Sequence, residues 1–179
     1  MTHATEASLA RYTAQHRFAS PLGPLLLART EAGLAGAWFE NQKHHPVAID
    51  APERADDPML ADAAAQLVAY FSGTRPAFDL RLDLYGTDFQ RAVWAELLRI
   101  DSGSTCSYGS IARRLGAPAA SRAVGAAVGR NPVSVIVPCH RVVGASGALT
   151  GYAGGIERKT ALLRLEAEGA ARRSGIGIS

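Results

Sequence analysis

The sequence predicts an α/β protein of two small domains, strand-rich first and mainly helical after. Three observations carry that prediction. Up to about residue 86, apolar residues come in short alternating or continuous runs separated by Gly and Pro turns. From Thr87 onward they recur at helical spacing. The charge balance changes near the same place. Residues 1–90 carry 7 Lys/Arg against 11 Asp/Glu, whereas residues 91–179 carry 12 against 5. The boundaries read from this are 1–86, 87–168 and a Gly/Arg/Ser-rich tail at 169–179, expected to be mobile.

The elements follow in order. Residues 1–10 read as a loose tail. Arg11 to Phe18 has strand character, and Ser20-Pro21-Leu22-Gly23-Pro24 is a turn. Leu25 to Arg29 and Leu34 to Phe39 are further strands around the Glu31-Ala32-Gly33 turn, giving an antiparallel meander. Residues 41–58 form a polar loop holding His44 and His45. Leu60 to Phe71 is apolar at helical spacing and ends at Ser72-Gly73. Phe78 to Leu84 alternates strictly, as a half-buried strand does.

Thr87 is an N-cap for a helix whose apolar face is Phe89, Val93, Trp94, Leu97 and Leu98. Ser107 caps a short helix from Tyr108 to Leu115. The turn Gly116 to Ala119 leads into a second helix, Ala120 to Val128. The pair fits a helix-turn-helix, and equally an ordinary helical hairpin. The second helix is built from small residues, with Arg122 its one long cation. Val133 to Val137 reads as a buried strand ended by Pro138, and Glu157 to Glu168 as a helix.

Composition narrows the functional classes. With 179 residues, 47% hydrophobic and 20% charged, the chain can bury a core and is not a disordered sequence. Two cysteines, Cys106 and Cys139, make no disulfide framework. No run of about 18 apolar residues and no signal-type N-terminus is present, so a cytoplasmic protein with reduced thiols and no membrane contact is expected. The basic C-terminal half suits a polyanion, nucleic acid first, although a basic solvated surface has the same composition.

Cys139 and His140 leave an apolar run beside a rigid proline. A free cysteine is commonly just a small buried hydrophobe. An imidazole beside it can instead raise the thiolate fraction, provided that a turn brings the two together and a third group orients the ring. Glu166 is the candidate for that third group. The glycines at 147, 151, 154 and 155 make a loop able to present N–H groups to a ligand, with Tyr152 as an aromatic wall.

Pro138-Cys139-His140-Arg141-Val142-Val143 resembles the signature of the O6-alkylguanine-DNA alkyltransferase family. Ser107-Tyr108, Ser121-Arg122-Ala123-Val124-Gly125, Asn131-Pro132, Gly151-Tyr152-Ala153-Gly154-Gly155 and Glu166 fall in that family's order and spacing. The resemblance is strong over 86–166 and looser before it. It implies a ribonuclease-H-like α/β first domain, then a helical domain with a helix-turn-helix. It also implies repair by direct reversal. An alkyl group passes from guanine O6, and from O4-alkylthymine, to the protein's own cysteine once per molecule, after base flipping through the minor groove.

Carried over by resemblance, Cys139 is the acceptor, His140 its base through a water, Glu166 the ring's orienter and Tyr108 the proton donor to the leaving guanine. Arg122 fills the gap in the duplex. Ala120, Ser121, Ser107 and Arg130 lie against DNA, Val142, Tyr152 and Ala153 line the guanine pocket, and Asn131 is a structural hinge. No cofactor is implied, and with no cysteine before Cys106 no metal is expected. The expected partner is double-stranded DNA carrying O6-alkylguanine, bound by a monomer that could act cooperatively along it. The alternative is a lesion-binding module without transfer.

Overall fold

The computed structural model describes residues 11–175. Strands β1 (Ala14–Ser20), β2 (Gly23–Arg29) and β3 (Leu34–Phe39) form the expected antiparallel meander. The first turn is tight because Gly23 takes a positive φ of 108°, and Ser20 Oγ accepts from the Leu22 amide at 3.1 Å. Leu25 and Leu27 point to the main core, while Leu26 and Ala28 face a smaller cluster around Trp38 and Ile49. Both faces are therefore covered, and every residue of β3 is buried.

Helix α1 (Pro58–Phe71) starts two residues before the expected Leu60. Asp57 accepts from the Met59 and Leu60 amides, and Pro58 needs no donor partner at the first position. Arg29 holds the Asp57 carboxylate at 2.7 Å, which ties the cap to the sheet.

Phe78 to Leu84 is not a full strand. It is extended but bridges only at Leu34–Leu82, through Leu34 N to Arg81 O and Asp83 N to Leu34 O, both 2.8 Å. It meets β3 only at the strand's beginning, where Gly33 allows close approach to the Arg81 carbonyl. Its alternation is real all the same: Phe78, Leu80, Leu82 and Leu84 pack on the core.

In the second half, Thr87 and Gln90 form a capping box for α2 (Asp88–Leu97). Val93, Trp94 and Leu97 of that helix are buried, whereas Phe89 and Leu98 stay exposed. The Trp94 indole donates to Ala127 O at 2.8 Å and fixes α2 against the helix pair. That pair is α3 (Tyr108–Arg114) and α4 (Ser121–Gly129), joined by a turn through Gly116. The short strands β4 (Cys106–Ser107) and β5 (Val142–Val143) pair in parallel.

Val133 to Val137 is not a strand either. Only Val133 bridges, to Ala37, and the rest is a chain of turns in which Val135 takes a φ of 72°. A buried apolar run does not by itself distinguish strand from turn. A β-branched residue at positive φ costs about 1–3 kcal/mol, sustained here by complete burial of Val133, Val135 and Val137.

Helix α5 spans Ile156–Arg173 and so passes the Glu168 end expected for it. The expected tail is helical as far as Arg173, because Gly169 is buried and Ala170 packs beside Gly103. Residues 1–10 and 176–179 of the expected tails lie outside the described residues. One apolar core runs through both halves, from Leu60 and Leu67 to Trp94, Val137 and Leu162. Among the described residues no helix is long and apolar enough to cross a membrane, and no cluster of His, Cys, Asp and Glu suits a metal.

Candidate active site

Cys139, His140 and Arg141 form one 3-10 turn after Pro138. In a strand, adjacent side chains would face opposite ways. The turn instead lets all three enter the core, where Cys139 is 4% and His140 0% exposed. β5 follows at once, and its pairing with β4 anchors the turn.

Asn131 holds the turn from the end of α4. Its Nδ2 donates to Val137 O at 2.8 Å and approaches Cys139 Sγ at 3.1 Å, while its Oδ1 accepts from Val133 N at 3.0 Å. Burial pushes the Cys139 thiol up to about 11, against the opposing influence of Asn131 and the Lys159 ammonium. Burial thus favours the thiol form of the resting sulfur over the thiolate. The His140 ring is engaged at its Nε2 edge.

That engagement is with Glu166. Its Oε1 accepts from His140 Nε2 at 2.7 Å, Tyr70 Oη at 2.7 Å and Arg141 Nη2 at 2.8 Å. Its Oε2 accepts from Arg141 Nε at 2.9 Å and the Gly103 amide at 3.4 Å. Burial disfavours the carboxylate, but the bonds from His140 and Arg141 outweigh it and hold the carboxyl well below the usual range. An ionised carboxylate only accepts, so the imidazole proton sits on Nε2. His140 Nδ1 is then a lone pair, buried and without a protein partner. Burial, with Arg141 and Lys159 nearby, lowers the proton affinity of the ring, against the pull of Glu166.

Lys159 is a buried amine on α5. It donates to Val142 O at 2.5 Å and Thr150 O at 2.7 Å, joining β5 to the glycine loop. A cavity of about 350 Å³ lies between α4 and that loop. Tyr108, Gly125, Arg130, Tyr152 and Ala153 line it, with Lys43 and His44 from the first half. The Lys43 amide donates to Ala153 O at 3.0 Å, so the two halves close on the cavity together. The Tyr152 hydroxyl is buried without a hydrogen-bond partner.

Both halves of the chain are similar to known proteins. Residues 13–84 match the family model described as 6-O-methylguanine DNA methyltransferase, ribonuclease-like domain, and residues 88–168 match the DNA binding domain of the same family. A methylated-DNA–protein-cysteine methyltransferase of Mycobacterium tuberculosis is 53% identical over 148 residues, 82% of this chain and 88% of the relative. One of Methanosarcina acetivorans is 48% identical over 151 residues, 83% of this chain and 95% of the relative. The chain belongs to the methylated-DNA–protein-cysteine methyltransferase family. The crystal structure of M. tuberculosis OGT in complex with DNA superposes with a TM-score of 0.80 at 49% identity, covering 88% of this chain and 94% of that one.

Membership of this DNA repair methyltransferase family gives the two-domain fold, a ribonuclease-like sheet domain followed by a helical DNA-binding domain. The residues singled out in the sequence fall in three places. Cys139, His140, Glu166 and Asn131 come together in the buried hub. Tyr108, Tyr152, Ala153 and Arg130 meet at the cavity. Val142, expected in the pocket, is not among the residues that line the cavity: it is fully buried, and its carbonyl accepts from Lys159. Arg122 projects from the exposed side of α4, with Ser121 at that helix's first position and Ala120 before it making no side-chain cap. Ser107 Oγ is used inside the protein, capping α3 through the Ser110 amide at 3.1 Å.

Three functional groups escaped the sequence reading. Arg141 stands inside the motif without a role assigned to it. Lys159 carried a signal, since it precedes Leu162 and Glu166 by three and seven residues and shares their helix face. Tyr70 carried none, because its partner is 96 residues away.

Proposed function

We propose that this protein repairs alkylated duplex DNA by moving the alkyl group from guanine O6, or from thymine O4, to Cys139 Sγ, once per molecule. The observation that carries this is the hub itself: a buried cysteine hydrogen-bonded to Asn131, beside a His140 whose Nδ1 is free because Glu166 holds Nε2. The thiol proton passes to His140 Nδ1, through one water where the gap requires it. Sulfur forms a bond to the alkyl carbon as the carbon–O6 bond breaks. Guanine leaves with a proton from the Tyr108 hydroxyl, and the thioether product is stable.

The base reaches the site by flipping out of the helix. The small residues of α4 let its backbone approach a minor groove, Arg122 enters the stack, and Arg130 lies at the cavity mouth. Uncapped amides at the start of α4 and the exposed arginines suit phosphate contacts. The DNA-bound M. tuberculosis relative supports this reading. The protein acts as a monomer in a reducing compartment.

Intact mass after mixing with duplex DNA containing one O6-methylguanine tests the proposal. The expected result is a gain of about 14 Da mapped to Cys139, absent in Cys139→Ser, which still binds the DNA. Tight lesion binding without any mass gain would instead make the protein a binding module.

A further inference from the structure

Tyr70 lies at the end of α1, in the ribonuclease-like half, and is 2% exposed. Its ring packs edge-on to Phe71 at 5.3 Å and against Phe78 at 5.2 Å. Its hydroxyl crosses to the other half and donates to Glu166 Oε1 at 2.7 Å. His140 Nε2 donates to the same oxygen at the same distance. Burial and the neighbouring carboxylate keep the phenol protonated, so it remains a donor at any ordinary pH.

We infer that Tyr70 is a positioning residue for the alkyl transfer: by sharing Glu166 Oε1 with His140 it sets the proton affinity of the imidazole. The inference rests on the proposed role of His140 as base. A carboxylate oxygen divided among three donors offers each of them less negative charge than one held by two. With Tyr70 in place, Glu166 orients the His140 ring yet stabilises the imidazolium weakly. The ring then stays neutral and ready to accept the thiol proton. Charged and titratable groups face this pair from several elements, with Arg75 from the segment after α1 and Arg173 from the end of α5 lining the small pocket beside Tyr70 and Glu166. Arg141 and Cys139 come from the same turn, Lys159 from α5, the Gly103 amide from the α2–β4 connection and Tyr70 from α1. The first half of the chain thereby supplies part of the reaction centre, and not only support for it.

The test is Tyr70→Phe, which keeps the packed ring and deletes the donor. Single-turnover methyl transfer would be followed against pH for both full-length proteins on O6-methylguanine duplex. The expected result is that the acid limb, which reports neutral His140, moves upward by about half to one pH unit in the variant. Coincident limbs would overturn the inference. So would a rate reduced by one factor at every pH, which is what a merely structural role gives.

Where the variant transfers too slowly for a profile, the His140 ring is titrated directly in the free protein by its nitrogen chemical shifts. A midpoint raised in Tyr70→Phe supports the inference, and an unmoved one overturns it. Failure of the wild-type protein to take up methyl would sink the proposed function while leaving this titration decisive for Tyr70.

Discussion

The side-chain amide of Asn131 stands 3.1 Å from Cys139 Sγ and bonds at the same time to the Val133 amide and the Val137 carbonyl, in the segment that leads into the turn carrying the cysteine. One residue thus sets the position of the sulfur and biases its charge. Asn131→Ala leaves the Val133 N–H and Val137 carbonyl buried without this partner. The expected cost is about 2–4 kcal/mol of stability, read by urea denaturation. Asn131→Asp keeps the shape but places a second negative charge beside a forming thiolate. Its single-turnover rate at neutral pH should fall about tenfold or more, as a further unit of thiol shift implies. A full-rate Asn131→Asp variant would mean that the amide only holds the backbone.

The contrast between Asn131 and Tyr70 shows what the sequence made legible. Cys139 and His140 were legible as a thiol and an imidazole side by side after a proline, whereas the role of Asn131 and the pairing of Glu166 with His140, 26 residues apart, were legible through the resemblance to the family's motifs. The meander and its Ser20–Pro24 turn were legible because turn residues and strand alternation are local matters. The two failed strands, 78–84 and 133–137, had the correct burial pattern but lacked a partner edge along their length, which no local pattern reveals. Tyr70 and the covering of the cavity by Lys43 depend on how the two halves dock. Periodicity in either half is silent on that.

Stability should decline on acidification in two stages. His140 is neutral when folded, with an affinity lowered by burial below its ordinary value of 6.5, so the unfolded chain binds the extra proton first. Stability therefore falls as pH drops below about 6.5. Glu166 is held below its ordinary 4.5 by His140 and Arg141, despite burial. Its contribution is complete above 4.5 and is lost as pH falls toward the folded value. Urea midpoints measured from pH 8 to pH 3 should show both declines. Glu166→Gln should cost about 3–5 kcal/mol at pH 7, because Arg141 is left buried without its charge partner, and should flatten the second stage. A variant with the wild-type slope below pH 4.5 would assign that stage to other carboxylates.

A thiol pushed up to about 11 behaves differently from a preformed thiolate. In the absence of DNA, alkylation of Cys139 by iodoacetamide should be slow at neutral pH. It should climb about tenfold per pH unit with no plateau below about pH 10. Peptide mapping separates Cys139 from Cys106, which is also buried and free. A plateau near neutrality would show that the thiolate stands ready before substrate arrives, and the proton transfer to His140 would then precede binding.

Gly125, in the cavity wall, and Gly154, packed against the Tyr152 ring of that wall, should respond in opposite ways to a single added methyl. A Cβ on Gly125 would sit 3.7 Å from Tyr108 Cδ1, an ordinary contact, within a regular turn of α4. Gly125→Ala should therefore fold at least as stably, with up to about 1 kcal/mol gained from helix propensity. The cost appears in the wall of the cavity beside the Tyr108 ring, so transfer should slow, and more for a benzyl than for a methyl adduct. A Cβ on Gly154 would stand 2.6 Å from Tyr152 Cε1 and 3.2 Å from Phe39 Cδ2. Tyr152 must then shift against a well-packed neighbour, at about 1–3 kcal/mol. Gly154→Ala should lose both stability and transfer, whichever adduct is offered. Thermal melts paired with single-turnover rates on the two adducts decide the matter. Equal slowing of both adducts in Gly125→Ala would remove Gly125 from the path the alkyl group occupies.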